Sequence, residues 1–179
     1  MKIPVALFAI ILLASACGKQ EVKEHKEYTG PLREMEKVVL DYSENDRVTT
    51  KMAADLVYEF QNGDREFPKG IHMEFFDING KLESTLRANH AFFIKQENKW
   101  RGRGKVEVKN IAKNEQLNTE ELFWTPDSKK IFTEQFVTIR QQGDVLYGKG
   151  LDAKQDMSDY TILEPTGSIE VKEDEQGPQ

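Results

Sequence analysis

From Lys37 to Val171 apolar and polar residues alternate with a period of two, and turn residues interrupt the alternation every 8–12 positions. Successive side chains on an extended strand point to opposite faces, so this pattern predicts strands with one buried face. Asn62-Gly63, Asn79-Gly80, Pro126-Asp127 and Gln142-Gly143 mark the clearest reversals, with a softer one at Lys113-Asn114. Asn-Gly suits a type I′ hairpin because both residues tolerate positive φ. At the front of the region, Leu32, Met35 and Val39 share a helical face over Leu32–Leu40. Val38, Leu40 and Tyr42 alternate instead, which favours a strand beginning near Lys37. No window carries a sustained 3.6-residue stripe, so the chain is expected to be all-β.

The strands repeat. An offset of 31 carries Leu86 onto Leu117, Ala88 onto Thr119, Ala91 onto Leu122, Phe93 onto Trp124, Trp100 onto Ile131, Val106 onto Val137 and Val108 onto Ile139. A third copy starts 29 residues later at Leu146, and a degenerate earlier one at Met52. Within a copy the apolar or small positions fall at 0, +2, +5 and +7, where a regular strand requires 0, +2, +4 and +6. One extra residue after Ala54, Ala88, Thr119 and Gly148 is the mark of a bulge or corner that keeps the apolar face inward. Strands that bend this way pass from one sheet into another. The expected architecture is a twisted antiparallel sandwich of repeated bent hairpins, with a closed barrel as the competing arrangement. The inward set reads Val48, Met52, Val57, Ile71, Met73, Phe75, Leu86, Ala91, Phe93, Trp100, Val106, Val108, Leu117, Leu122, Trp124, Ile131, Val137, Ile139, Leu146, Leu151, Ile169 and Val171. Gly102, Gly104, Ala88 and Gly148 share its parity, which fits either a tight core or an interior open to an apolar ligand.

Outside this region the pattern changes. Residues 3–16 (IPVALFAIILLASA) are almost wholly apolar and follow Lys2. A membrane-spanning helix needs about 20 such residues, so the run reads as the apolar segment of a secretory leader over residues 1–16. It ends Ala14-Ser15-Ala16-Cys17. This resembles a bacterial lipobox, with Ala14 where Leu is usual, and makes Cys17 the expected lipidation site and mature N-terminus. Loss of Lys2 moves the net charge from −6 to −7. Residues 17–36 then read as a flexible polar stalk, 37–171 as one folded domain, and 172–179 as a disordered tail.

Chemistry is sparse. Acidic residues outnumber basic ones, 31 to 25, which argues against a nucleic-acid partner. Arg101 and Arg103 share the outward parity of a strand and do not alter that. The single cysteine excludes an internal disulfide framework. Neighbours such as Glu120 and Glu121 point to opposite faces of a strand and read as solvated surface. His72 has no partner nearby in sequence, and His90 falls in a corner. Neither has metal or triad spacing, and there is no P-loop or Gly-x-Ser-x-Gly. No enzyme activity, cofactor or metal is expected.

Several ordered blocks carry a resemblance: FPKGIHMEFFD at 67–77, STLRANHA at 84–91, GKVEVKN at 104–110, LNTEELFW at 117–124, LYGKGL at 146–151 and GSI at 167–169. Together they resemble the LptC family, the periplasmic component of the lipopolysaccharide transport machine, with its OstA-like β-jellyroll. The lipoprotein form is similar to Bacteroidetes-type members, whereas many relatives carry a transmembrane helix. The resemblance implies a hydrophobic groove for the acyl chains of lipid A, with Met73, Phe75, Phe93, Val106, Val108, Trp124, Val137 and Ile139 as candidate lining. It implies transfer from an inner-membrane ABC transporter to an LptA-like bridge protein. The edge with Val38, Leu40 and Tyr42 would face the transporter, and that with Ile162, Ile169 and Val171 the bridge. It also implies a periplasmic location, lipid-anchored to the inner membrane. The alternative is a membrane-anchored adaptor lipoprotein whose jellyroll is filled by its own side chains and binds only proteins.

Overall fold

Half-buried strands are stable only when their apolar faces meet, and here the sheet meets that need by folding over itself. The computed structural model describes residues 28–167. The expected leader 1–16, Cys17, the expected stalk as far as residue 27, Ile169, Val171 and the expected tail 172–179 lie outside the described residues. Eleven strands form one antiparallel sheet: β1 (Arg33–Glu44), β2 (Arg47–Glu59), β3 (Arg65–Phe67), β4 (Ile71–Phe76), β5 (Leu82–Ala88), β6 (His90–Ile94), β7 (Lys99–Asn110), β8 (Glu115–Thr125), β9 (Lys130–Gln141), β10 (Asp144–Lys154) and β11 (Tyr160–Thr166).

The long strands serve two layers. β2 pairs with β4 through Thr50–Ala53 and with β3 through Tyr58 and Glu59. β7 pairs with β6 near its start, at Lys99–Arg103, and with β5 near its end, at Glu107–Asn110. The first layer therefore contains β4 and β5, the second β3 and β6, while β1, β2, β7, β8, β9, β10 and β11 run through both. This is the expected jellyroll of bent hairpins.

The corners fall where the 0, +2, +5, +7 spacing puts them. The β1–β2 ladder skips Lys37 and Asp55, just after Ala54. Asn89 separates β5 from β6. Pairing shifts register between Thr119 and Phe123 and between Lys149 and Leu151. Each shift turns the strand without exposing its apolar face. Gly70 has φ 88°, and a Cβ there would lie 2.6 Å from the Ala88 carbonyl oxygen. Only glycine lets β4 begin this close to β5.

Two local readings need correction. The strand favoured over a helix at Leu32–Leu40 does form, but β1 begins at Arg33, before the expected start near Lys37. Lys37 has φ 51°, and this kink puts Met35, Val38 and Leu40 against the core. Their spacing of three and then two conceals the strand from a period-two reading. The β1–β2 hairpin also turns at Asn45-Asp46, both at positive φ (50° and 62°), although no reversal is expected there from Asn-Gly chemistry. The expected Gln142-Gly143 turn has φ values of 40° and 97°, the signs a type I′ turn requires.

The core lies between the layers. Within the described range the expected inward residues are buried, except that Val48, Phe93 and Leu146 are partly buried. Ala54, Phe67, Ala153 and Met157 join the core without having been in the expected set. Phe67 lies on a strand of three residues, too short to show a period, and Met157 lies in a loop.

Candidate functional site: the space between the layers

The eight candidate lining residues come from both layers. Met73 and Phe75 (β4), Val106 and Val108 (β7), and Val137 and Ile139 (β9) belong to the first; Phe93 (β6) and Trp124 (β8) belong to the second. Seven are at most 6% exposed, and Phe93 packs against them from a partly buried position. An aromatic chain runs through the interior: Phe67 and Phe93 lie 5.3 and 4.8 Å from Trp100, Trp100 lies 5.9 Å from Trp124, and Trp124 meets Phe75 at 5.1 Å. Side chains of the two layers pack against one another in the interior. Two clefts of about 600 and 590 Å³ open on the surface, and neither is lined by Phe75 or Trp124. The first has an apolar floor of Val38, Ala54, Ile71 and Ala88 at the corner, rimmed by Lys37, Lys69 and Arg87.

Away from the corners, polar contacts bridge one end of the interior. The β10–β11 connection crosses this end. The Gln155 amide donates to the Lys129 carbonyl (2.9 Å), while Ser84 Oγ donates to the Gln155 carbonyl (3.2 Å) and Asn110 Nδ2 to the Asp156 carbonyl (2.6 Å). Trp124 Nε1 donates to Gln155 Oε1 at 3.0 Å. Beside this connection, Tyr160 Oη donates to Gln141 Oε1 at 2.9 Å. Burial, then the nearby Glu115 carboxylate, push the Tyr160 hydroxyl above the usual tyrosine range. Sequence reasoning missed Ser84 and Asn110. Both continue the inward parity of their strands, through Leu86 and Val108, and that parity was the available signal.

Two sheet edges flank the interior. Among the described residues β1 pairs only with β2, and β11 only with β10. Unpaired N–H and C=O groups on such edges can accept a further strand. Val38 and Leu40 are partly buried against the core, and Tyr42 is 38% exposed, with the rest of its surface covered. Burial raises the Tyr42 hydroxyl above its usual range, opposed by the charge and hydrogen bond of Arg65. Ile162 on β11 is partly buried, while Ile169 and Val171 lie outside the described residues. Pro165 has no N–H to donate, which breaks the β11 hydrogen-bonding pattern near its end.

The charged candidates prove to be paired. Arg101 and Arg103 both contact the Glu121 carboxylate, Arg103 at 3.4 Å, and the Glu121 side chain is 16% exposed. The reading of Glu121 as solvated surface is thus corrected: the bend turns it toward two guanidinium groups. His72, for which no partner was read nearby in sequence, accepts at Nδ1 from Arg87 Nε (3.1 Å) on the neighbouring strand and has Nε2 3.5 Å from Glu74. His90 Nε2 lies 2.9 Å from Glu66 Oε1. Among the described residues no three potential ligands cluster around a metal position, and no helix is long and apolar enough to cross a membrane.

No individual curated protein is similar enough to match the chain. A family model described as "Lipopolysaccharide-assembly, LptC-related" matches residues 5–169, nearly the whole length. That family is periplasmic and serves transport rather than catalysis. The chain belongs to the LptC family, and its role lies in lipopolysaccharide transport.

Proposed function

We propose that this chain carries lipopolysaccharide across the periplasm with the acyl chains of lipid A lodged between its two layers. The observation that carries this reading is a continuous cluster of buried apolar residues, from Met73 and Phe75 to Val137 and Ile139, set between two sheet edges that are unpaired among the described residues. Each acyl methylene removed from water contributes about 0.8 kcal/mol, so a few buried turns of chain hold the lipid firmly. Because side chains of both layers pack together in the interior, loading requires the layers to part. The interrupted ladders at Lys37, Asn89 and Lys149 supply hinges for that movement.

In this scheme Cys17 carries the acyl anchor and holds the protein at the inner membrane. The β1 edge, with Val38, Leu40 and Tyr42, receives the ABC transporter. The β11 edge, with Ile162 and the segment through Ile169 and Val171, receives an LptA-like bridge protein. Strand addition at both edges continues one apolar path from protein to protein. Energy comes from the partner ATPase.

The packed interior also favours a second reading, an adaptor lipoprotein that binds only proteins. Equilibration of the purified protein with lipopolysaccharide separates the two. Carriage predicts a stable complex with lipopolysaccharide and none with its delipidated polysaccharide. Equal failure with both favours the adaptor.

A further inference from the structure

We propose that the β10–β11 connection, residues 155–159, is a displaceable plug over an acyl-binding site, and that Met157 occupies the position an acyl chain takes. This inference rests on the carrier reading above and adds the place where the lipid goes in. Met157 is wholly buried and belongs to the core cluster, although it lies in a loop. Its φ of 57° is left-handed, a conformation rare for a bulky residue. Such strain persists where the surroundings hold it, and it concentrates at clamps and switches.

The attachments of the plug suit release. Ser84, Asn110, Lys113 and Lys129 hold it through hydrogen bonds in which one partner each time is a backbone group of the loop. Water can replace every one of them once the loop lifts. Lys113 Nζ to the Ser158 carbonyl, at 3.0 Å, is already exposed. The one apolar element inserted is an unbranched thioether with three rotatable bonds, the protein side chain most like a short alkyl chain. Lifting the loop opens the end of the interior at which Trp124 bonds to Gln155. The rim of that opening is polar, with Ser84, Asn110 and Glu115 buried there and Glu115 Oε2 without a partner among the described residues. An acyl chain entering here keeps its sugar headgroup toward water.

The test locks the plug. In the full chain with Cys17→Ser, the pair Ser84→Cys and Gln155→Cys is oxidised, and lipopolysaccharide uptake is followed by tryptophan fluorescence. The plug predicts at least tenfold slower uptake when oxidised, with recovery on reduction. In parallel, Met157→Gly removes the side chain and relieves the left-handed strain, and it is expected to speed uptake severalfold. Equal rates for the oxidised and reduced pair, or an unchanged or slower rate for Met157→Gly, overturn the plug and leave the carrier intact. If the parent chain takes up no lipopolysaccharide at all, the carrier reading falls and the plug with it.

Discussion

Phe75 of β4 meets Trp124 of β8 edge to face, 5.1 Å between ring centroids and 70° between planes, joining the two layers across the interior. The contact ties together residues 49 positions apart in sequence. T-shaped aromatic pairs add about 0.5–1.5 kcal/mol beyond the area they bury. Phe75→Ala is therefore expected to lower unfolding free energy by about 3–5 kcal/mol, and Phe75→Leu by less. Trp124→Asp places a charge in the same apolar space and is expected to prevent folding or lipid retention. Denaturant titration and an export complementation assay check both, and normal export by Trp124→Asp contradicts its inward placement.

Gly148 holds β11 close. A Cβ at this position would lie 2.7 Å from the Glu164 carbonyl oxygen and would also strike Ile162. Gly148→Ala is expected to push β11 outward at a cost of about 1–3 kcal/mol. Faster hydrogen exchange at β11 amides, with the β4–β5 amides unchanged, is the expected signature.

Glu83 gives the protein a pH-dependent cost. Burial, then repulsion from Asp156 and Asp77, raise its carboxyl above the usual value of 4.5, with Lys129 pulling the other way. The folded state thus binds this proton more readily than the unfolded chain. The corresponding stability is fully present below pH 4.5 and declines as pH rises through the folded-state value. Glu83→Gln is expected to raise the melting temperature at about pH 7 and leave it unchanged at about pH 3.5. An equal gain at both values contradicts this account.

Lipidation of Cys17 predicts a simple fractionation result. Cys17→Ala is expected to leave an unprocessed or soluble precursor. Covalent incorporation of labelled fatty acid into that variant, at the level of the parent chain, contradicts the lipobox reading.

Much of the fold was legible because bulges leave a mark in the spacing. Leu86, Ala88, Ala91 and Phe93 all point inward only if the chain turns near Asn89, and it does. The start of β1 was hidden for the same kind of reason, since Lys37 places a kink between Met35 and Val38 where no repeat copy supplied a template. The lining residues were legible as inward, but whether they enclose space was not. Parity fixes the face, while the fit of Phe67, Trp100 and Trp124 depends on contacts between distant strands. Met157 escaped because a loop residue has no periodicity to betray its burial.

The central claim is that acyl chains sit between the layers, and photo-crosslinking tests it most directly. A photoreactive residue placed at Phe93, Val106 or Trp124 is expected to form adducts with lipopolysaccharide during transport, and one at the outward-facing Arg101 is not. Adducts at Arg101 with none at the three interior positions would contradict it.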